Sequence, residues 1–258
     1  MNKTGLMAGL AIFVCACGGS DTTKSFTYGA PTIPSENDTT VSSASSKLMS
    51  AIQLQQGGVD ASTALDMFGS MNLGSLFESS SLRNPFPPGK PSLAISGGSD
   101  VNFTNPNCYT VTATSVTYTN CQVTYNEVAM TISGSVTASA TSVSWNITLT
   151  MNMTSESMTA NVTASGHYAF AANSLVGSST IAMDMTVQQN HVGVSIDEDV
   201  NITFTLDQNA CNSYITGGSY EIGVHWTSVP AGYANEFKDR GVRLTWPACG
   251  TVLIARSL

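Results

Sequence analysis

Charge is the scarcest commodity in this 258-residue chain: Asp, Glu, Lys and Arg together make up 10% of it, against about 25% in typical soluble domains. Bases are the rarer sign, with nine Lys and Arg facing 17 Asp and Glu for a net charge of −8. Nucleic acid and anionic membrane surfaces are poor partners for such a chain. Histidine occurs three times, as His167, His191 and His225 at irregular intervals, and no zinc-enzyme His-Glu pair is present. A Gly-x-Ser-x-Gly elbow and a phosphate loop are also missing. The chain therefore reads as non-enzymatic, with no metal and no cofactor. Ser, Thr and Asn must supply the wet surface that charge does not.

The one long apolar run stands at the start. Lys3 precedes Leu10-Ala11-Ile12-Phe13-Val14-Cys15-Ala16-Cys17, and Gly18-Gly19-Ser20-Asp21 follows. A basic start, roughly ten apolar residues and a small residue before the cut describe an export signal, too short to span a bilayer. Val14, Ala16 and Cys17 at minus three, minus one and plus one resemble the lipobox of bacterial lipoprotein precursors. This resemblance covers only the first score of residues. It implies a signal peptide over 1–16 and a thioether-linked diacylglycerol on Cys17, with a further acyl chain such as palmitate. Gly18, rather than aspartate, at plus two implies sorting to the outer membrane, so the membrane is the first expected partner. An ordinary signal peptidase would cut the same bond and leave a free thiol at Cys17.

Cysteine arithmetic bears on that choice. Six cysteines are present; Cys15 leaves with the signal, and acylation of Cys17 leaves Cys108, Cys121, Cys211 and Cys249, an even set suited to an oxidising compartment. Four cysteines allow three pairings. The local solution joins Cys108 to Cys121, clamping a hairpin around Ala113-Thr114-Ser115, and Cys211 to Cys249. No Cys-x-x-Cys follows the signal, which disfavours a redox or metal site.

Composition then divides the mature chain. Residues 17–46 are Ser/Thr-rich and read as a flexible lipidated tether that lets the body stand off the bilayer. Residues 47–92 read as a helical segment and a Pro-rich connector: Leu48, Ala51 and Ile52 share a face before Gly57-Gly58, and Asp60 caps a second helix presenting Ala64, Leu65, Phe68 and Met71.

Residues 93–258 alternate with a period of two, the mark of strands with one dry and one wet face. Met130, Ile132, Gly134, Val136 and Ala138 interleave with Thr and Ser; Val143 to Met153, Met158 to Ala164, Ile181 to Val187 and Val192 to Leu206 repeat the pattern. Eight to ten strands joined by short turns predict a mainly β fold. It is expected to be an antiparallel meander, half-barrel or sandwich, with one or two N-terminal helices packed on it. Asp197-Glu198-Asp199 interrupts the longest run and reads as a solvated turn or bulge. A membrane-spanning barrel shares the alternation, but few aromatics and the expected disulfides speak against it.

The dry face must be covered by itself, by the helices or by a greasy ligand. Met130, Met151, Met153, Met158, Met183 and Met185 should all lie on it. They either fill irregular gaps in a core or line a concavity for a lipid or other hydrophobic ligand.

Overall fold

The computed structural model describes residues 25–35, 37–57, 103–125, 128–153, 157–187, 190–211, 213–230, 232–234 and 237–258. Cys17, the second expected helix and the Pro-rich connector lie outside these residues. One helix, α1 (Thr39–Gly57), precedes ten strands: β1 (Tyr109–Val111), β2 (Ser115–Tyr125), β3 (Val128–Ser139), β4 (Ser142–Met153), β5 (Met158–Ala171), β6 (Ser174–Val187), β7 (Asn190–Phe204), β8 (Ile215–Ser228), β9 (Arg240–Ala248) and β10 (Thr251–Arg256). Each strand pairs antiparallel with the next in sequence, so the ten form one open meander running from β1 to β10. The mainly β, antiparallel expectation holds.

Alternation sets the two faces. Along β5, Met158, Ala160, Val162, Tyr168 and Phe170 are buried while their neighbours Thr159, Asn161, Thr163 and Ala169 are exposed. The register carries these dry positions from strand to strand, as in the row Ile132–Leu149–Val162–Met183–Val194. The ladder also bends. Gly134 and Gly218 sit mid-strand at φ 120° and 104°, where a Cβ would stand 2.0 and 2.1 Å from the carbonyl oxygens of Asn146 and Asn201. Only glycine permits this conformation and approach. Register shifts in the β2–β3, β7–β8 and β9–β10 pairs add local twist, as bulges do.

Against the dry face lies α1. Ala44, Leu48, Ala51 and Ile52 are buried in one apolar cluster with Val136, Val143, Tyr168, Leu175, Ile202 and Leu244. The stretch expected as a flexible tether is thus corrected in two places. The helix starts at Thr39, eight residues before Lys47, with Asp38 Oδ1 accepting from the Thr40 and Val41 amides at 3.0 and 3.4 Å. Thr39-Thr40-Val41-Ser42-Ser43 is a poor helix former by propensity. It is helical because an N-cap and the burial of Ala44 and Leu48 on the sheet outweigh that cost. Upstream, residues 27–32 pair with β10: the Gly29 and Thr32 amides donate to Arg256 and Ile254 carbonyls at 3.0 and 2.9 Å, and the Ile254 amide returns a bond to Thr32 at 2.8 Å. Serine and threonine composition hides this because the bonds are made by backbone.

Both local disulfides form, Cys108–Cys121 and Cys211–Cys249, with Cα atoms 5.1 and 5.6 Å apart. They pin the two ends of the meander. The first joins the β1 approach to β2; the second ties the entry of β8 to the β9–β10 turn. Loop-closure entropy assigns about 3 kcal/mol to the shorter loop and about 4 kcal/mol to the longer. Cys211→Ser/Cys249→Ser should therefore lower unfolding free energy in urea more than Cys108→Ser/Cys121→Ser; equal losses would show that native contacts, not loop length, set the effect.

Candidate functional site

Three features concentrate unusual chemistry. The first lies between helix and sheet. Asp197-Glu198-Asp199, expected as a solvated turn, continues β7 without a break: the three pair in register with Thr180, Ser179 and Ser178 on β6. Alternation therefore turns Glu198 to the dry face, where it is 4% exposed. Three acids in a row mislead a sequence reading because carboxylates seldom face a core. Its charge is met by Lys47 of α1, whose Nζ donates to Oε2, and by Ser179 Oγ, which donates to the same oxygen at 3.0 Å. The adjacent positions in this row are Ser179 on β6 and Gly166 on β5, and the Trp145 ring lies over Gly166, where a Cβ would stand 2.4 Å from it.

Glu198 Oε1 and the Tyr168 hydroxyl are buried and make no well-formed hydrogen bond among the described residues, although the Tyr168 and Tyr220 phenols stand close enough to interact with Glu198. Burial, reinforced by the Glu198 carboxylate, holds the phenols of Tyr168 and Tyr220 well above their usual range. A void of about 10 Å³ lies between Lys47, Tyr168, Leu175, Glu198 and Val200. It has room for about one water, far below the hundreds of Å³ that a small-molecule ligand requires.

The second feature is the methionine end of the dry face. Met130, Met151, Ala160, Met185 and Val192 form one continuous cross-strand row from β3 to β7. Met158, Ala160 and Met185 make a small core cluster separate from the one that contains α1, with Met151 and Val192 packed against it. Met183 packs against the main cluster beside Val194. Met153 pairs with Met158 across β4 and β5, and nothing further is described of its side chain. Met130, Met151, Met158, Met183 and Met185 thus lie on one side of the sheet.

The third feature lies on the opposite, wet face, under the strap formed by residues 25–32. Phe26 seats on Gly223 and Gly241, which pair across β8 and β9; a Cβ on either would stand 2.6 Å from its ring. The ring stacks on His225 with centroids 4.6 Å apart and planes at 19°. His225 is consequently 5% exposed although it belongs to the wet face. Its Nδ1 lies 3.2 Å from Asp239 Oδ2 and its Nε2 3.8 Å from Asp197 Oδ2. Tyr28 donates to Glu221 Oε1 at 2.6 Å, and Arg243 spans Glu221 and the Tyr28 ring. Burial and then the Glu221 bond push the Tyr28 phenol upward.

A recess of about 130 Å³ opens beside the strap, lined by Ser25, Phe26, Asp197, Asp199, Glu221, Gly223 and His225. Among the described residues no group of His, Cys, Asp or Glu is arranged to hold a metal ion, and no helix is long and apolar enough to cross a membrane. Sequence reasoning missed Lys47, Glu198, Phe26 and Tyr28 as structural partners. Gly223 and Gly241 leave space for the ring, but only the fold pairs them. Comparison with known proteins finds no matching family model, no matching curated protein and no matching solved structure.

Two outcomes follow from this geometry. Lys47→Met should lower stability by about 3–5 kcal/mol, because it strands a buried carboxylate, whereas Lys47→Met combined with Glu198→Leu should recover most of the loss. Urea melts of both variants would decide; a double variant as weak as the single one would mean that the pair contributes net stability. Tyr28, Tyr118, Tyr168 and Tyr220 all have raised phenols in the fold. The folded state keeps those protons after the unfolded state has begun to release them near pH 10, so stability present below that pH is lost as pH climbs beyond it. Melting temperature against pH, alongside tyrosinate absorbance, should show Tyr168 and Tyr220, the two most deeply buried of these phenols, ionising together with unfolding.

Proposed function

We propose that this chain is a lipid-anchored lipoprotein of the bacterial cell envelope, held in the outer membrane, whose β body serves as a non-enzymatic structural or interaction module. The observation that carries it is the fate of the cysteines. Cys108, Cys121, Cys211 and Cys249 are consumed in two bridges, which leaves Cys17 as the single cysteine of the mature chain with no protein thiol to join. Its place in a lipobox supplies the chemistry: the thiolate takes a diacylglycerol. Two bridges also suit an oxidising compartment. Two or three acyl chains anchor stably where one would not.

A second reading is carriage of a lipid or other hydrophobic ligand. The separate methionine cluster on the dry face favours it, since flexible, polarisable side chains adapt to variable apolar partners. Helix α1 already occupies another part of that face, so the module reading stands first.

Native mass spectrometry separates the two. A secreted Cys17→Ser form is expected to fly as the bare polypeptide under the first reading, while a co-purifying mass of lipid size would establish the second. Intact-mass analysis of native material should find residue 17 at the N-terminus with its diacylglycerol; residue 17 bare, or residues 1–16 still attached, would defeat the anchor itself.

A further inference from the structure

We infer that the strap orients the anchored protein, turning the corner of the sheet formed by residues 25–32, the start of β9 and the end of β10 toward the phospholipid headgroups. The inference rests on the acylation of Cys17 proposed above. A tether reaching to α1 would place 21 residues between Cys17 and Thr39, a span of up to about 75 Å. The chain instead docks at Phe26, nine residues after Cys17. Nine residues reach about 30 Å at most when fully extended. β7 alone, 15 residues long, measures about 50 Å. The leash is therefore shorter than the body it holds.

The docking is made by many groups. Phe26 is seated on Gly223, Gly241 and His225; Tyr28 is fixed by Glu221 and Arg243; backbone bonds join Thr27 to Leu258, Gly29 to Arg256 and Thr32 to Ile254. Arg256 also donates to Asp38 at 2.8 Å, so the start of α1 is tied to the same edge.

Charge at this corner is mixed, with Asp38, Asp197, Asp199, Glu221 and Asp239 standing among its cations. Among the described residues the basic side chains are Lys47, Lys238, Arg240, Arg243 and Arg256. Lys47 is spent inside on Glu198. The other four are exposed and all fall on this corner, with Lys24 next to the strap in sequence. Arg243 and Arg256 are paired with Glu221 and Asp38, and Lys238 and Arg240 flank Asp239 in sequence, so the short leash, not net charge, carries the orientation.

The test uses acylated protein in phosphatidylethanolamine and phosphatidylglycerol vesicles doped with a lipid whose headgroup chelates gadolinium. A nitroxide is placed on Thr27→Cys, in the strap, or on Val111→Cys, on exposed β1 at the other end of the meander. Strong relaxation broadening at 27 and at least threefold less at 111 is expected. Phe26→Ala/Tyr28→Ala, which frees the strap, should bring the two sites to within a factor of two. Equal broadening in acylated protein with an intact strap would overturn the orientation and leave the anchor standing. A protein that fails to float with vesicles and shows residue 17 bare by intact mass would overturn both.

Discussion

A single open sheet with one apolar face has to press that face against other parts of its own chain, and every other feature of this molecule answers that constraint. The dry rows running from β2 to β10 collect into one main cluster, and a sheet bent by Gly134, Gly218 and its bulges brings those rows toward a common partner. Helix α1 is part of that partner. Its own sequence is a weak reason to be helical, and the burial of Ala44, Leu48, Ala51 and Ile52 is a strong one. Helix and sheet are each incomplete alone.

Within that apolar contact the Lys47–Glu198 pair is the exception, and it acts on position more than on energy. Apolar faces slide over one another with little preference, whereas a buried carboxylate accepts only an alignment that brings a cation to it. Ser179 donates to the same carboxylate, and Tyr168 and Tyr220 crowd it. The pair thereby fixes which turn of α1 sits over β7. Removing either charge alone leaves the other uncompensated, which ties residues 151 positions apart into one unit.

The edges of the sheet are handled differently at its two ends. β1 is only three residues long, and brevity is one way to blunt an edge. β10 is covered by the strap, so the N-terminal segment closes the end that the last strand leaves open. Each end is further pinned by a disulfide. This arrangement joins the fold to the proposed anchoring, because the same strap that protects the edge also decides where the chain leaves the body.

The sequence by itself determined the strand periodicity, the dry face including its methionines, the antiparallel connectivity through short turns and the local cysteine pairing. These depend on neighbours in the chain, and a period of two or a loop of a dozen residues is visible without coordinates. Tertiary structure alone decided the rest. That Thr39 to Ser46 coils into a helix, that residues 27–32 become strand-like, and that Glu198 faces inward all rest on contacts with residues far away in sequence. Ser/Thr-rich composition and a run of three acids describe what such segments do in water, not what a distant backbone edge or a lysine from another element offers them. The proposed lipobox is read from the chain alone, while the corner from which the proposed leash departs exists only once the first described residues have met the last.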